Sequence, residues 1–134
     1  SPITVTELGR YVVSGGSGSH AVKLVKFKDG SATGEGADVP GGSATINTSG
    51  AATGAYAYAA LPAPLTLAAG ATYFLLSQET SGGDRWYDYW GNAITLGSVV
   101  SPIGPTWAPN GSSLYTVANP NVAETYGPVN LKYK

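Results

Sequence analysis

The chain contains no cysteine. Disulfide bonds, catalysis by a thiolate and metal sites built from cysteine are therefore excluded. The absence of disulfides does not exclude secretion, because a domain of 134 residues can bury a sizeable core without covalent cross-links.

Charged side chains are also scarce. They make up 11% of the residues, against roughly 25% in an average globular protein. Seven basic and eight acidic residues leave a net charge of −1, which provides no basic patch for nucleic acid or for an anionic membrane. We expect neither as a partner. A surface of serine, threonine, asparagine and glycine suits neutral, hydroxyl-rich ligands and an extracellular setting.

The usual motifs of catalytic sites are missing. The chain has one histidine, and it has no Gly-x-Ser-x-Gly elbow, no His-Glu-x-x-His pattern and no phosphate-binding glycine loop. A glycosidase needs only two carboxylates at a suitable separation, and the nearest set is Glu79, Asp84 and Asp88. With eight acidic residues in all, we predict that the protein is not an enzyme.

No cofactor is predicted either. A structural calcium ion would need only loop carbonyls and single carboxylates as ligands, but no Asp-x-Asp-x-Asp-Gly pattern indicates such a site. We therefore leave the metal content of the protein unassigned.

The residues that are abundant point to β-structure. Nineteen glycines, nine prolines and nine tyrosines are typical of many short strands joined by tight turns. Apolar and polar residues alternate over residues 3–7, 20–27 and 128–133, and no useful window shows a helical apolar period. We predict an all-β fold, a two-sheet antiparallel β-sandwich of jelly-roll-like type with about nine or ten short strands and almost no helix. Residues 1–134 are expected to form a single module.

Several local features refine this prediction. Gly9 is expected to mark a bulge or corner, and Asp29-Gly30 is a hairpin signal. The glycine-rich residues 31–43 are expected to be irregular, with at most a short edge strand around Asp38-Val39. Residues 98–100 are a short strand candidate.

The uncharged residues 57–76 are long enough to suggest a membrane span. Pro62, Pro64 and Gly70 are instead expected to break this stretch into two strands and a turn. We therefore predict no membrane partner.

The most informative stretch covers residues 73–90. It begins with a short apolar run, continues through a turn with paired glycines at residues 80–84, and ends with two tryptophans and two tyrosines among charged residues. A strand and turn followed by an aromatic and polar segment predict a flat recognition surface at the rim of the β-scaffold. The alternative is that Trp86 and Trp90 close the core, since large aromatic residues are usually mostly buried.

Sugar-binding sites combine flat aromatic rings, which pack on the C–H face of a pyranose, with carboxylates, amides or arginine, which bind its hydroxyl groups. The candidate stacking residues are Trp86, Tyr87, Tyr89, Trp90 and Trp107. The candidate hydroxyl-binding residues are Gln78, Glu79, Asp84 and Arg85. Asp84, Arg85 and Glu79 have an alternative role as a structural ion-pair network that fixes the turn.

Trp107 and His20 receive separate predictions. Trp107 lies in a loop rich in proline, glycine and asparagine, and loops on a rigid scaffold commonly carry binding residues. His20 shares its strand parity with Val22 and Leu24, so we expect it to face inward and to satisfy a buried hydrogen bond. Catalysis or metal ligation by His20 is the alternative.

Motifs spread over the chain resemble a β-sandwich module of bacterial carbohydrate-active enzymes. They are Leu8-Gly9-Arg10-Tyr11-Val12, His20-x-Val22-x-Leu24, Pro64-Leu65-x-Leu67-Ala68-Ala69-Gly70-x-x-Tyr73, Ser77-Gln78-Glu79-x-x-Gly82-Gly83-Asp84-x-Trp86-Tyr87 and Tyr126-Gly127-Pro128-Val129-Asn130-x-Lys132-Tyr133. Part of the pattern is also similar to a domain family of unknown function that carries His-x-Val-x-Leu and Pro-Val-x-Leu-x-Ala-Gly-x-x-Tyr. Such modules sit beside catalytic domains in secreted glycoside hydrolases.

The resemblance implies a non-catalytic carbohydrate-binding module that holds a polysaccharide or oligosaccharide close to a tethered catalytic domain. We expect a monomer that is secreted by a bacterium. Because Ser1-Pro2-Ile3 opens directly in a strand pattern, we also expect an excised part of a larger multidomain protein. The alternative function is a structural spacer or protein-interaction β-sandwich without a sugar ligand.

Overall fold

The computed structural model describes residues 1–28, 33–80, 83, 98–101, 104, 106–109, 111–117 and 129–134. Within these ranges the chain forms eight strands and no helix. The strands are β1 (Ile3–Tyr11), β2 (Ser19–Phe27), β3 (Thr33–Asn47), β4 (Tyr56–Leu67), β5 (Tyr73–Ser77), β6 (Thr106–Trp107), β7 (Leu114–Val117) and β8 (Val129–Tyr133). No described helix is long and apolar enough to cross a membrane.

The strands form two antiparallel sheets. One sheet has three strands in the order β4-β1-β8, and the other has five in the order β5-β2-β3-β7-β6. The main core joins both sheets, with Val5 and Leu8 from β1 and Val22 and Leu24 from β2 at 0–1% exposure. The predicted all-β, two-sheet sandwich is confirmed.

The five-stranded sheet buries apolar side chains on both faces. Val22 and Leu24 of β2 belong to the main core, whereas Val25 and Phe27 form a second cluster with Phe74. Tyr115 of β7 completes this second cluster, and its side chain is 3% exposed.

The prediction of irregular structure is wrong for residues 33–43, the part of this stretch that the structure describes. Thr33–Asn47 is one continuous strand, and it lies inside the sheet between β2 and β7. The pairing of β3 with β2 has a register shift between Lys23 and Val25 of β2. Gly41 lies in the β3 segment opposite this shift and has a φ of +73°. Glycine favours irregular structure when it stands alone, but here β7 pairs with residues 33–35 and β2 pairs with residues between 36 and 47. The strands on either side of Asp29-Gly30 pair as a hairpin, although the turn itself lies outside the described residues.

Residues 57–76 form two strands and a turn, as predicted, and the turn lies at Ala69-Gly70, where Gly70 has a φ of +71°. Pro62 and Pro64 do not contribute to this break, contrary to the prediction. Both lie inside β4, whose pairing with β1 skips residues 61–64 opposite a register shift between Val5 and Glu7. Proline lacks a backbone N–H, so it is tolerated on edge strands and at bulges. Because β4 is an edge strand of the three-stranded sheet, both conditions are met.

The irregularity of β1 falls at Val5–Glu7 and not at Gly9. Gly9 pairs directly with Tyr58, and a Cβ atom on Gly9 would lie 2.6 Å from the Tyr58 ring. The glycine therefore makes room for an aromatic ring. The strand predicted at 98–100 is also absent, because residues 98–99 form a turn in which Val99 is 48% exposed.

Gly36 offers a test of this packing. A Cβ atom there would lie 2.4 Å from Val25 Cγ1 and 2.8 Å from the buried ring of Tyr115. We expect Gly36→Ala to lower the free energy of unfolding by about 1–3 kcal/mol through overpacking. Gly9→Ala is the matched control with a smaller expected loss, because the half-buried Tyr58 ring can swing aside. Urea denaturation of both variants measures the difference, and a Gly36→Ala loss no larger than that of Gly9→Ala would contradict the packing of β3.

Candidate functional site

Six of the nine predicted contact residues lie outside the described residues. They are Asp84, Arg85, Trp86, Tyr87, Tyr89 and Trp90. The structure describes the other three, which are Gln78, Glu79 and Trp107.

Trp107 is the most exposed of the large hydrophobic residues described, at 55%. It lies on the two-residue edge strand β6, where Trp107 pairs with Thr116 of β7. The hydroxyl group of Thr106 donates a hydrogen bond to the Thr116 carbonyl at 2.9 Å and anchors β6 to the sheet. Trp107 is therefore exposed, but it lies on a strand and not in the predicted loop.

Polar and apolar groups share a sheet face with this indole. Residues that pair directly across antiparallel strands project to the same side. Thr116 pairs with Trp107, and two residues away Leu114 pairs with Glu35 of β3. The Glu35 carboxylate accepts a hydrogen bond from Lys28 Nζ at 2.9 Å. We call Trp107, Leu114, Thr116, Glu35 and Lys28 the Trp107 face.

Chemically, the Trp107 face joins an exposed ring with hydroxyl, carboxylate and ammonium groups. Leu114 is 53% exposed beside them, and the Glu35 and Lys28 side chains are both 57% exposed. The two charges compensate each other. The surface can therefore stack on an apolar ring face and also exchange hydrogen bonds with neutral polar groups.

Gln78 is exposed. Its backbone N–H donates to the Ala21 carbonyl at 2.9 Å, which extends the pairing of β5 with β2. β5 and β6 are the two edge strands of the five-stranded sheet, but they approach each other in space, since Leu76 of β5 and Ala108 next to β6 pack on the same apolar cluster. Gln78 directly follows β5, and Trp107 belongs to β6.

Glu79 takes part in an ion-pair cluster between the two sheets. Its Oε1 accepts hydrogen bonds from Arg10 Nε at 3.1 Å and from Ser77 Oγ at 2.6 Å. Its Oε2 lies 3.6 Å from His20 Nδ1. Arg10 is 1% exposed and also donates to the Tyr11 carbonyl at 2.6 Å. This geometry favours the ion-pair interpretation of Glu79, with Arg10 as a partner that the sequence did not identify.

His20 is 7% exposed. It faces the inter-sheet core, as predicted, and its described partner is the Glu79 carboxylate. No group of three or more His, Asp or Glu side chains that could hold a metal ion is found among the described residues.

Elsewhere, on β2, the hydrogen bond from Lys23 to Asp38 at 2.7 Å raises the pKa of the Lys23 ammonium, although partial burial opposes this shift.

A second exposed surface was missed at the sequence level. Tyr11 pairs with Tyr56, and Gly9 pairs with Tyr58, so these three tyrosines share one face of the three-stranded sheet. Leu8, next to Gly9, is buried in the main core, so this face points away from it. We call Tyr11, Tyr56 and Tyr58 the tyrosine face. The available signal was the alternation of Tyr56 and Tyr58 with alanines.

The described chain thus presents two separate surfaces that join aromatic rings to polar groups. The Trp107 face belongs to the five-stranded sheet and the tyrosine face to the three-stranded sheet. Function has to be inferred from the chemistry of these surfaces, because comparison with protein-family models, curated proteins and solved structures finds no match to this chain.

Proposed function

We propose that the protein is a non-catalytic carbohydrate-binding module. It holds a polysaccharide close to a tethered catalytic domain and so raises the local concentration of substrate. The observation that carries this proposal is the exposed indole of Trp107 on the same sheet face as the compensated Glu35–Lys28 pair. In this proposal the protein is a bacterial, secreted monomer, and its ligand is a neutral poly- or oligosaccharide.

The physical support comes from the chemistry of a pyranose. Its C–H face is apolar and packs on an indole, whereas its hydroxyl groups require donors and acceptors close to the ring. An indole that is 55% exposed would otherwise leave a large apolar surface in water. The low charge of the chain, 11% of its residues, favours a neutral ligand over a polyanion.

The competing function is a structural spacer or protein-interaction domain without a sugar ligand. Affinity electrophoresis against soluble polysaccharides, combined with tryptophan fluorescence, separates the two. The carbohydrate-binding proposal predicts retarded migration and a change in emission with at least one polysaccharide. Unchanged migration and emission with the whole panel would favour the spacer.

Trp107→Ala tests the site itself. We expect at least about 30-fold weaker binding, because the loss of a central tryptophan typically costs about 2 kcal/mol or more. Tyr133→Ala is the matched control, since it removes another exposed ring, at 37% exposure, from β8 of the other sheet. Isothermal titration measures both variants. Equal affinities of Trp107→Ala and the wild type would show that Trp107 is not the contact.

A further inference from the structure

The tyrosine face has a ring geometry of its own. The ring centroids of Tyr11 and Tyr56 are 5.4 Å apart with an angle of 70° between the planes. Those of Tyr56 and Tyr58 are 6.2 Å apart with an angle of 40°. Tyr56 is the most open of the three, at 39% exposure. The planes of the three rings are therefore rotated relative to one another and do not form a coplanar platform.

The angles between the ring planes restrict the shape of a ligand that can stack on them. The surface of a crystalline polysaccharide is flat, so it stacks only on rings that lie in one plane. A single chain in solution can rotate about its glycosidic bonds and present successive sugar faces at different angles. With plane angles of 40° and 70°, a flat surface can stack on no more than one of these rings, so the geometry favours the single chain.

The charges on this face select among single chains. Lys132 Nζ lies 2.9 Å from Glu7 Oε2 and 4.1 Å from the centroid of the Tyr58 ring. Glu7 pairs with Lys132 and Gly9 pairs with the exposed Asn130, so both polar neighbours share the outward side. The two charges compensate each other. The face is complementary to a neutral saccharide, because Lys132 is already paired and a polyanion would meet Glu7.

We propose that the tyrosine face is a second glycan-binding surface, which takes single, twisted chains of neutral saccharide and does not bind crystalline polysaccharide. Tyr56 is the stacking ring, and Lys132, Glu7 and Asn130 supply hydrogen bonds to hydroxyl groups. This inference rests on the proposed function. Together with the Trp107 face it makes the module bivalent, so that two weak contacts on one long chain would add by avidity.

Tyr56→Ala tests this inference on two named probes. On soluble xyloglucan or galactomannan, whichever the wild type binds, we expect Tyr56→Ala to weaken binding at least fivefold. On microcrystalline cellulose the variant and the wild type should differ by less than twofold. Tyr56→Phe should retain binding to the soluble chain, because it keeps the ring. Tyr56→Thr, which keeps the strand propensity of this position, should repeat the loss if Tyr56→Ala does not fold.

The outcomes separate the two proposals. If Trp107→Ala weakens binding to the soluble chain and Tyr56→Ala does not, the proposal that the tyrosine face binds glycan is contradicted and the proposed function stands. If the wild type binds none of the probes, both fail. A concentration-dependent dimer, seen by sedimentation and lost in Tyr56→Ala, would identify a second copy of the chain as the occupant and would also overturn the inference.

Discussion

Replacing Arg10 with methionine is expected to lower the free energy of unfolding by about 3–5 kcal/mol, because it breaks a buried ion pair by removing one partner. Arg10 is 1% exposed, and its Nε donates to Glu79 at 3.1 Å. Methionine retains much of the aliphatic volume, so the loss reports mainly on the guanidinium. The variant would leave the carboxylate of Glu79, which is 21% exposed, with Ser77 and His20 as its described neighbours.

Lys132→Met is the matched control for this experiment. It also removes a cation from an ion pair, but Lys132 and Glu7 are 51% and 33% exposed, respectively. Exposed pairs contribute about 0–1 kcal/mol, so the control should lose less than about 1 kcal/mol. Urea denaturation at neutral pH measures both variants. Equal losses in the two variants would mean that the buried cluster does not hold the sheets together.

Phe74→Ala is expected to cost about 3–5 kcal/mol, the usual range for deletion of a buried aromatic ring. Phe74 is 5% exposed, and its ring centroid lies 4.8 Å from that of Phe27 and 6.1 Å from that of Tyr115. This cluster lies on the face of the five-stranded sheet opposite the main core. The expected loss follows only if both faces of that sheet are buried.

Leu114→Ala controls for removal of an apolar side chain from the same sheet. Leu114 is 53% exposed, and surface substitutions usually change stability by no more than about 0.5 kcal/mol. Thermal or urea unfolding can rank the two variants. If Phe74→Ala unfolds at the same denaturant concentration as Leu114→Ala, the second cluster is not a core.

The sequence predicted the fold class and the strands whose pattern is local. In β2, the alternation of apolar and polar residues correctly indicated a strand, and its parity correctly placed His20 on the inward side. These predictions succeeded because each depends on residues that are adjacent in the chain.

Other features depend on partners far away in sequence. The glycine-rich half of β3 becomes a strand because β7 pairs with its first residues and β2 with the residues that follow, and because Val25 and Tyr115 fill the space above Gly36. The ion pair of Arg10 and Glu79 joins residues 69 positions apart. Likewise, the outward direction of Tyr56 and Tyr58 follows from their pairing with β1. The alternation of Tyr56 and Tyr58 with alanines is a local pattern, but it does not show which face points outward, and the other pairings leave no local pattern.

The prolines inside β4 affect how neighbouring copies of the protein can pair with each other. An open sheet edge has unpaired N–H and C=O groups that can pair with a strand of a neighbouring chain. Prolines and lysines on an edge strand hinder such pairing. In the three-stranded sheet one border carries Pro62 and Pro64, and the other carries Lys132. If the proposed function holds, copies that bind side by side on one polymer are hindered from pairing edge to edge through this sheet.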